Sequence, residues 1–452
     1  MEKRRKYFGT DGIRGKVGHI PITPDFVLKI GFAIGIVLKE HYKGNTSNTV
    51  LIGKDTRLSG YMLEAALESG LAAAGINTCL LGPIPTPAVS YLTQYVRALA
   101  GIVISASHNP YYDNGIKIFS CDGLKLPDEL EEKIEQKLAE PLEVVSADKI
   151  GRVNHIADLN DNYFKFCLAR FSNLTTMQSL SKLKIILDCA NGATYKIAPK
   201  IFSHLGFQVK TIACEPDGLN INHKCGATST DLLKEAVLKE KADIGIAFDG
   251  DGDRVIMIDH LGETVDGDQL LFIIIDYLHK TGEFYGGVVG TAMTNFGFEQ
   301  AMQHVNIPFV RTKVGDRYIL SELLQRQWKY GCETSGHIIL MDNSPTGDGI
   351  LAALKVLSVI SFSNKSLHEL KSKMHKLPQH MINIKLKNKI DLVNNEHIQK
   401  EKNEIDKILS GRGRVVLRKS GTEPLLRIMV ESEDANEAVL LANRLAVAAQ
   451  EN

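Results

Sequence analysis

The sequence predicts an α/β protein of several domains with parallel or mixed sheets. Short apolar runs of β type alternate with stretches of helical periodicity along most of the chain. At 452 residues the chain is also too long for one ordinary core, so length suggests about three domains, or four if they are small.

The elements follow in order. Pro24 to Glu40 has helical spacing, Thr49 to Gly53 reads as a short strand, Tyr61 to Ala74 as a helix, and Gly101 to Ser105 as a strand. Asp128 to Glu140 is a charged amphipathic helix, and the polar stretch near Ser146 to Asn154 marks a first boundary. A second section carries the strand Leu183 to Asp188, Asn191-Gly192 leading to a helix, and the strand Ala242 to Phe248. A third opens with Arg254-Val-Ile-Met-Ile-Asp259, includes the strand Gly287 to Gly290, and closes with the helical run Gly349 to Ile360. Phe362 to Pro378 reads as a linker with a short helix before a smaller fourth section of shorter strands and two helices. The expected domains are 1–153, 154–254, 255–368 and 369–452.

Two runs far apart read as halves of one phosphoryl-transfer site. In Gly101-Ile-Val-Ile-Ser-Ala-Ser107-His108-Asn109-Pro110 an apolar strand ends in small and polar residues, which presents a hydroxyl on a loop. Ser107 is the candidate nucleophile, although the run taken alone also reads as a turn closed by proline. In Asp249-Gly-Asp251-Gly-Asp253-Arg254 three carboxylates at alternate positions can converge on a hard cation, with Arg254 adding fixed positive charge. A solvated turn is the plainer reading. An EF-hand loop beginning at Asp249 fails, because its sixth and twelfth positions would be Arg254 and His260 rather than glycine and glutamate. A serine hydroxyl is a poor nucleophile and its phosphate a stable ester, so chemistry at Ser107 needs the charge that the acidic run and its cation supply.

Composition excludes more than it identifies. Lys plus Arg equals Asp plus Glu at 53 each, so no basic excess points to nucleic acid or an anionic membrane. The seven cysteines form no C-x-x-C pair and the start Met-Glu-Lys-Arg-Arg-Lys is unlike a secretory signal, which suggests reduced thiols and a cytoplasmic protein. The most apolar runs, such as Leu270 to Ile275, break well short of the ~20 residues of a membrane span. A nucleotide-dependent kinase would want a Gly-x-x-x-x-Gly-Lys-Ser/Thr loop, which is absent. A metal-dependent phosphatase would want an aspartyl nucleophile or two metals, and a noncatalytic sugar-phosphate sensor would need neither Ser107 nor the acidic triad.

The chain resembles the α-D-phosphohexomutase superfamily. It does so through Ser107-His108-Asn109-Pro110, through Asp249 to Asp253, through Glu333-Thr-Ser335-Gly336-His337 and through Arg418-Lys-Ser420-Gly421-Thr422-Glu-Pro-Leu-Leu-Arg427, in the superfamily's order. The resemblance implies three similar α/β domains and a smaller C-terminal α+β domain around a central cleft. It implies that Ser107, beside His108, carries a phosphoryl group, one oxygen of which shares a single Mg2+ with Asp249, Asp251 and Asp253. Glu333, Ser335 and His337 would face the sugar, and Arg254 the substrate. Arg418, Ser420, Gly421, Thr422 and Arg427 would hold its phosphate through forked cations and backbone donors.

Phe8-Gly-Thr-Asp11-Gly-Ile-Arg14-Gly and Asn114-Gly-Ile-Lys117 match loops that place Arg14 and Lys117 beside the phosphoserine, and Lys313 to Arg317 resembles another substrate-facing loop. Arg14, Lys117 and His337 are the candidates for proton transfer. Ser335 and the run Ile-Ser-Ala-Ser-His-Asn-Pro-Tyr-Tyr-Asp-Asn-Gly-Ile-Lys resemble the bacterial subgroup acting on glucosamine phosphates. The implied reaction exchanges the 6- and 1-phosphates through a hexosamine 1,6-bisphosphate, on the route to UDP-N-acetylglucosamine. Glucose or mannose phosphates are the alternative substrates, and a homodimer is the implied assembly. Cys332 stands where that subgroup usually has glycine, which leaves the course of the loop open and makes the thiol a mild oxidation liability.

Overall fold

The computed structural model describes residues 5–42, 47–154, 158–172, 183–385, 395–419 and 425–450. Four sheets follow one another along the chain. The first has seven strands in the order Phe8–Gly9, Gly12–Lys16, Asp113–Ser120, Ala100–Ile104, Thr49–Lys54, Asn77–Pro83 and Val153–Asn154. The second has five, Thr264–Val265, Val255–Asp259, Ile244–Phe248, Lys184–Asp188 and Gln208–Ile212. The third has four, Phe309–Thr312, Val288–Thr291, Tyr330–Cys332 and Ile338–Leu340. The last has three, Gln379–Lys385, Leu425–Ser432 and Gly413–Lys419, all antiparallel.

The first three sheets share a plan. A strand lies parallel to its neighbour and the chain then returns antiparallel beside it: Ala100–Ile104 with Asp113–Ser120, Ile244–Phe248 with Val255–Asp259, and Tyr330–Cys332 with Ile338–Leu340. The outgoing strands Ala100–Ile104 and Ile244–Phe248 are buried along their whole length, as layers covered on both faces require. Each motif run is the turn-back of such a pair. Ser107 follows Ile104, which pairs with Ile116, the acidic run joins Phe248 to its partner Val255, and residues 333–337 join Cys332 to its partner Ile338. In the fourth sheet Arg418 lies opposite Arg427, flanking residues 420–424.

Helices cover these sheets by ordinary amphipathic logic. Pro24–His41 begins with proline in its first turn and Asp25 near the helix's positive end, and buries Val27, Ile30, Ile34 and Leu38 on one stripe against Ser59–Ala73. Each such aliphatic side chain contributes about 1.5–3 kcal/mol on burial. One apolar core runs continuously through the first three sections, from Leu51 through Phe248 to Met374, whereas the fourth keeps its own around Ile398, Ile428 and Leu441.

The sheets divide the chain differently from the sequence reading. Val255–Asp259, expected to open the third section, pairs with Ile244–Phe248, because a chain reversing after the acidic loop finds its hydrogen-bond partners in the strand it has just left. Val153–Asn154 adds to the edge of the first sheet through Asn77–Pro83, so a boundary between 153 and 154 cuts a strand. A boundary between 368 and 369 cuts the helix Leu367–Lys371, whose Leu367 and Leu370 are buried in the continuous core. No helix among the described residues is long and apolar enough to cross a membrane.

Candidate active site

The ends of two strands bring the two chemistry-bearing loops together. Ser107 is buried and its Oγ donates to Asp249 Oδ2 at 2.7 Å, so hydroxyl and acidic run meet directly. Its backbone has φ +54°, a left-handed setting that costs a non-glycine residue on the order of 1–3 kcal/mol and persists only where the surroundings impose it. Ser107 Oγ also lies 3.3 Å from His108 Nδ1, which in turn is 3.1 Å from Arg254 Nη1. Burial, reinforced by Arg254 and Arg14, holds His108 down at about 4, so the imidazole is neutral at pH 7 and Nδ1 accepts from the guanidinium.

Asp249, Asp251 and Asp253 are all buried, and one carboxylate oxygen from each lies within 4.8 Å of the others. Lys117 reaches into them from the strand Asp113–Ser120, with Nζ 2.7 Å from Asp251 Oδ2, 3.0 Å from Asp253 Oδ2 and 3.2 Å from Asp11 Oδ2. Burial lowers the proton affinity of Lys117, but Asp11, Asp251 and Asp253 outweigh it and the ammonium stays charged. Burial and the neighbouring Asp253 and Asp251 push Asp249 well above the usual carboxylate range. Thr86 donates its hydroxyl to Asp251 Oδ2 at 2.5 Å.

Two buried carboxylate oxygens, Asp251 Oδ1 and Asp253 Oδ1, have no hydrogen-bond partner. Buried acceptors without a donor are rare, and lone pairs left over in an all-oxygen set fit a hard divalent cation such as Mg2+. A second acidic group, Asp259, Glu263 and His368, differs. Lys371 Nζ lies 2.7 Å from Asp259 Oδ2 and 2.6 Å from Glu263 Oε2, so the group carries its own cation and fastens the helix Leu367–Lys371.

The remaining residues fall around this centre unequally. Arg14 pairs with Asp11, while its buried Nε has no hydrogen-bond partner. His337 is buried, accepts from the Gly347 amide at Nε2 (3.1 Å) and stands 3.7 Å from Asp253 Oδ1, so it lies against the acidic loop. Glu333 Oε1 accepts from the Gly315 amide at 3.0 Å, and Ser335 is exposed. The loop's tightness rests on Gly336, at φ +94°, where a Cβ would stand 2.2 Å from Val255 O. Arg418 and Arg427 lie side by side, each with a buried Nε lacking a partner. Burial and then Arg427 lower the proton affinity of Arg418, while Glu333 is near enough to raise it. Such paired forks suit an anion. Ser420, Gly421 and Thr422 lie outside the described residues.

Two expectations change. Arg317, read as substrate-facing, instead pairs with Asp128 and Glu131 on the helix Asp128–Lys137 of the first section. Cys332 is fully buried with Sγ 3.7 Å from Asp268 Oδ1, and burial together with Asp268 pushes the thiol well above its ordinary value, which leaves it unreactive rather than an oxidation liability.

Sequence reasoning missed the support beneath Ser107. Arg57, with no exposed surface, donates from Nη2 to Ser107 O (2.9 Å) and Asn109 O (2.8 Å), and from Nη1 to Asp113 O (3.1 Å) and Pro110 O. Asp55 accepts from Arg57 Nε at 2.8 Å and from Ser105 Oγ at 2.5 Å, and Asn222 Nδ2 donates to Ser107 O at 2.9 Å. A signal existed for part of it. Thr49–Lys54 and Ala100–Ile104 are parallel neighbours, so the polar Asp55-Thr-Arg57 after one strand must emerge beside Ser107 after the other.

Comparison with known proteins agrees with this arrangement. Models described as Phosphoglucomutase/phosphomannomutase, alpha/beta/alpha domains I, II and III match residues 5–144, 161–262 and 266–377, and the C-terminal domain of that description matches 381–448. The chain is 56% identical over 442 residues, 98% of each chain, to a phosphoglucosamine mutase of Photorhabdus laumondii, and 55% identical over the same shares to one of Proteus mirabilis. An N-acetylphosphoglucosamine mutase of Aspergillus fumigatus, solved with GlcNAc-6P and magnesium, superposes with a TM-score of 0.70 at 18% identity, covering 99% of this chain and 96% of that one.

Proposed function

The chain belongs to the phosphoglucomutase/phosphomannomutase family, and we propose that it is an isomerase exchanging glucosamine 6-phosphate and glucosamine 1-phosphate on the route to UDP-N-acetylglucosamine. The observation that carries this reading is the 56% identity, over 98% of both chains, with the Photorhabdus phosphoglucosamine mutase. The site accommodates the chemistry: a buried serine hydroxyl 2.7 Å from an acidic triad at one end, and two neighbouring guanidinium groups for a second phosphate at the other.

The reaction begins with phosphorylated Ser107. A free sugar hydroxyl attacks phosphorus, the bond to Ser107 Oγ breaks with its electron pair, and the hydroxyl proton ends on that Oγ, with Arg14 and charged Lys117 steadying the charge and His337 the candidate relay. The resulting hexosamine 1,6-bisphosphate turns end for end, and Ser107 takes back the other phosphoryl group. Asp249, Asp251 and Asp253 would hold Mg2+, which supplies positive charge to the phosphoryl oxygens. Arg14, Arg254 and charged Lys117 add cations that need no metal, and neutral His108 hydrogen-bonds beside Oγ. Arg418 and Arg427 anchor the phosphate that is not reacting, Glu333 and Ser335 meet the sugar, and two copies of the chain form the assembly.

The test is the ratio of kcat/KM for glucosamine 1-phosphate to that for glucose 1-phosphate, using enzyme phosphorylated on Ser107, Mg2+ and the matching bisphosphate. A large ratio is expected. A ratio at or below one would move the assignment to glucose or mannose phosphates, and turnover of neither would overturn the mutase reading.

A further inference from the structure

We propose that Asn222 and Arg57 are positioning residues that hold Ser107 in its reactive setting, Asn222 fixing the register between the serine loop and the acidic loop. The proposal rests on the reading of Ser107 as nucleophile. Ser107 sits in the left-handed region, φ +54°, and something must impose that conformation. Two donors meet on its own carbonyl oxygen: Arg57 Nη2 at 2.9 Å from below, in the same section, and Asn222 Nδ2 at 2.9 Å from the second section. The same two nitrogens also share Asn109 O, at 2.8 and 3.1 Å.

Arg57 belongs to a closed ring. Its Nε donates to Asp55 Oδ2, which accepts from Ser105 Oγ, which in turn accepts from the Ser107 amide at 2.9 Å. Both main-chain groups of Ser107 are therefore held. Asn222 also lies against the acidic run, for its amide nitrogen would stand only 2.7 Å from a Cβ at Gly250. Its own backbone is also left-handed, φ +57°, and its N–H donates to Ala190 O at 2.9 Å, so the side chain is aimed by the second section. Asn222 Oδ1 is buried with no partner, which shows that the side chain serves here as a donor alone.

That asymmetry defines the experiment. Asn222→Ala removes the donor, and Asn222→Asp keeps the shape while placing a carboxylate oxygen against two carbonyl oxygens. Full-length enzyme is phosphorylated with the bisphosphate, its phosphoserine verified by intact mass, and assayed for kcat, KM and the phosphoserine 31P resonance. Loss of a hydrogen bond to a misplaced nucleophile predicts about a 10- to 100-fold fall in kcat for Asn222→Ala, with KM within about twofold. Asn222→Asp falls further, and the 31P resonance moves in both. If Asn222→Ala does not fold, the isosteric Asn222→Asp alone decides.

Unchanged kcat and 31P resonance in the folded variant, or a defect confined to KM, would overturn the proposal. Ser107→Ala, run in parallel, separates the two readings. Turnover by Ser107→Ala, or phosphate found on another residue, ends the nucleophile assignment, whereas an inert Ser107→Ala beside a fully active Asn222→Ala ends only the positioning role.

Discussion

Gly250→Ala adds one methyl group at the meeting point of the two loops, and its effect can be worked from distances. The new Cβ would stand 2.6 Å from Ser107 O, 2.7 Å from Asn222 Nδ2 and 2.9 Å from Ile221 Cδ1. Ordinary contact begins near 3.4 Å, so the serine loop or the acidic loop must retreat by about 0.8 Å. The bond from Ser107 Oγ to Asp249 Oδ2, now 2.7 Å, spans the same gap and would stretch to about 3.5 Å, beyond a good O–H···O geometry. A misplacement of about 1 Å costs on the order of 100-fold in rate. Overpacking adds about 1–3 kcal/mol of instability. The assay is kcat for glucosamine 6-phosphate to 1-phosphate, with the melting temperature measured alongside. An alanine variant with kcat within threefold of the parent would refute the reasoning, because it would show that the loops do not need their present separation.

Other consequences follow from the same residues. Three buried carboxylates that want a cation predict that EDTA abolishes turnover and that Mg2+ at about 100 times its Kd stabilises the fold by about 2.7 kcal/mol, seen as a thermal shift that Asp251→Asn largely removes. Lys117→Met removes the ammonium that Asp251 and Asp253 share, while Asp11 keeps Arg14 and Lys125, and should cost about 3–5 kcal/mol in EDTA by urea titration, partly restored by Mg2+; equal losses with and without the metal would contradict the shared-charge picture. Asp348, which caps the helix Gly349–Ser363 and accepts from Tyr163 Oη at 2.8 Å, is raised by burial to about 6. A raised folded value means the unfolded chain releases the proton first, so the contribution is fully present below about pH 4 and is lost as pH rises through about 6. Asp348→Asn should therefore flatten the dependence of the urea midpoint on pH across that window, by up to about 3 kcal/mol. An unaltered slope would sink the assignment.

What could be read from the sequence was mostly what the chain says locally. A strand that ends in Ser-Ala-Ser107 or in Asp249-Gly-Asp251 announces both its burial and its exit loop, so the centre of the site was legible from two short runs. Asn222 was not, because its partners are main-chain carbonyls, which every residue carries and no motif encodes, and Arg57 was signalled only by its place after a strand parallel to the one that ends at the serine loop. Strand pairing misled for a related reason. Val255–Asp259 follows a functional loop and looks like a beginning, yet its hydrogen bonds run back to Ile244–Phe248. Arg317 shows the limit of a lone charge, since nothing near it in sequence foretells that Asp128 and Glu131 sit opposite in space. Cys332 likewise looked vulnerable only until its burial against Asp268 was known.

Ions join the first and third sections near Asp11 and Asp316. Lys125 bridges Asp11 and Asp316, and Arg317 grips Asp128 and Glu131 with Arg5 beside them. An oily seam would resist parting, because each opening would expose apolar surface to water, at about 25 cal/mol for every Å². A seam of charges parts differently: each ion released is rehydrated at once, and partly exposed pairs such as Arg317 with Asp128 are worth little when they re-form. Dissolved salt then becomes a lubricant, weakening the exposed pairs of the seam within a Debye length of about 8 Å at physiological strength while leaving the hydrocarbon interior untouched. In the proposed mechanism the sugar somersaults between two chemical steps, and a wall of this kind can yield again and again without its foundations moving.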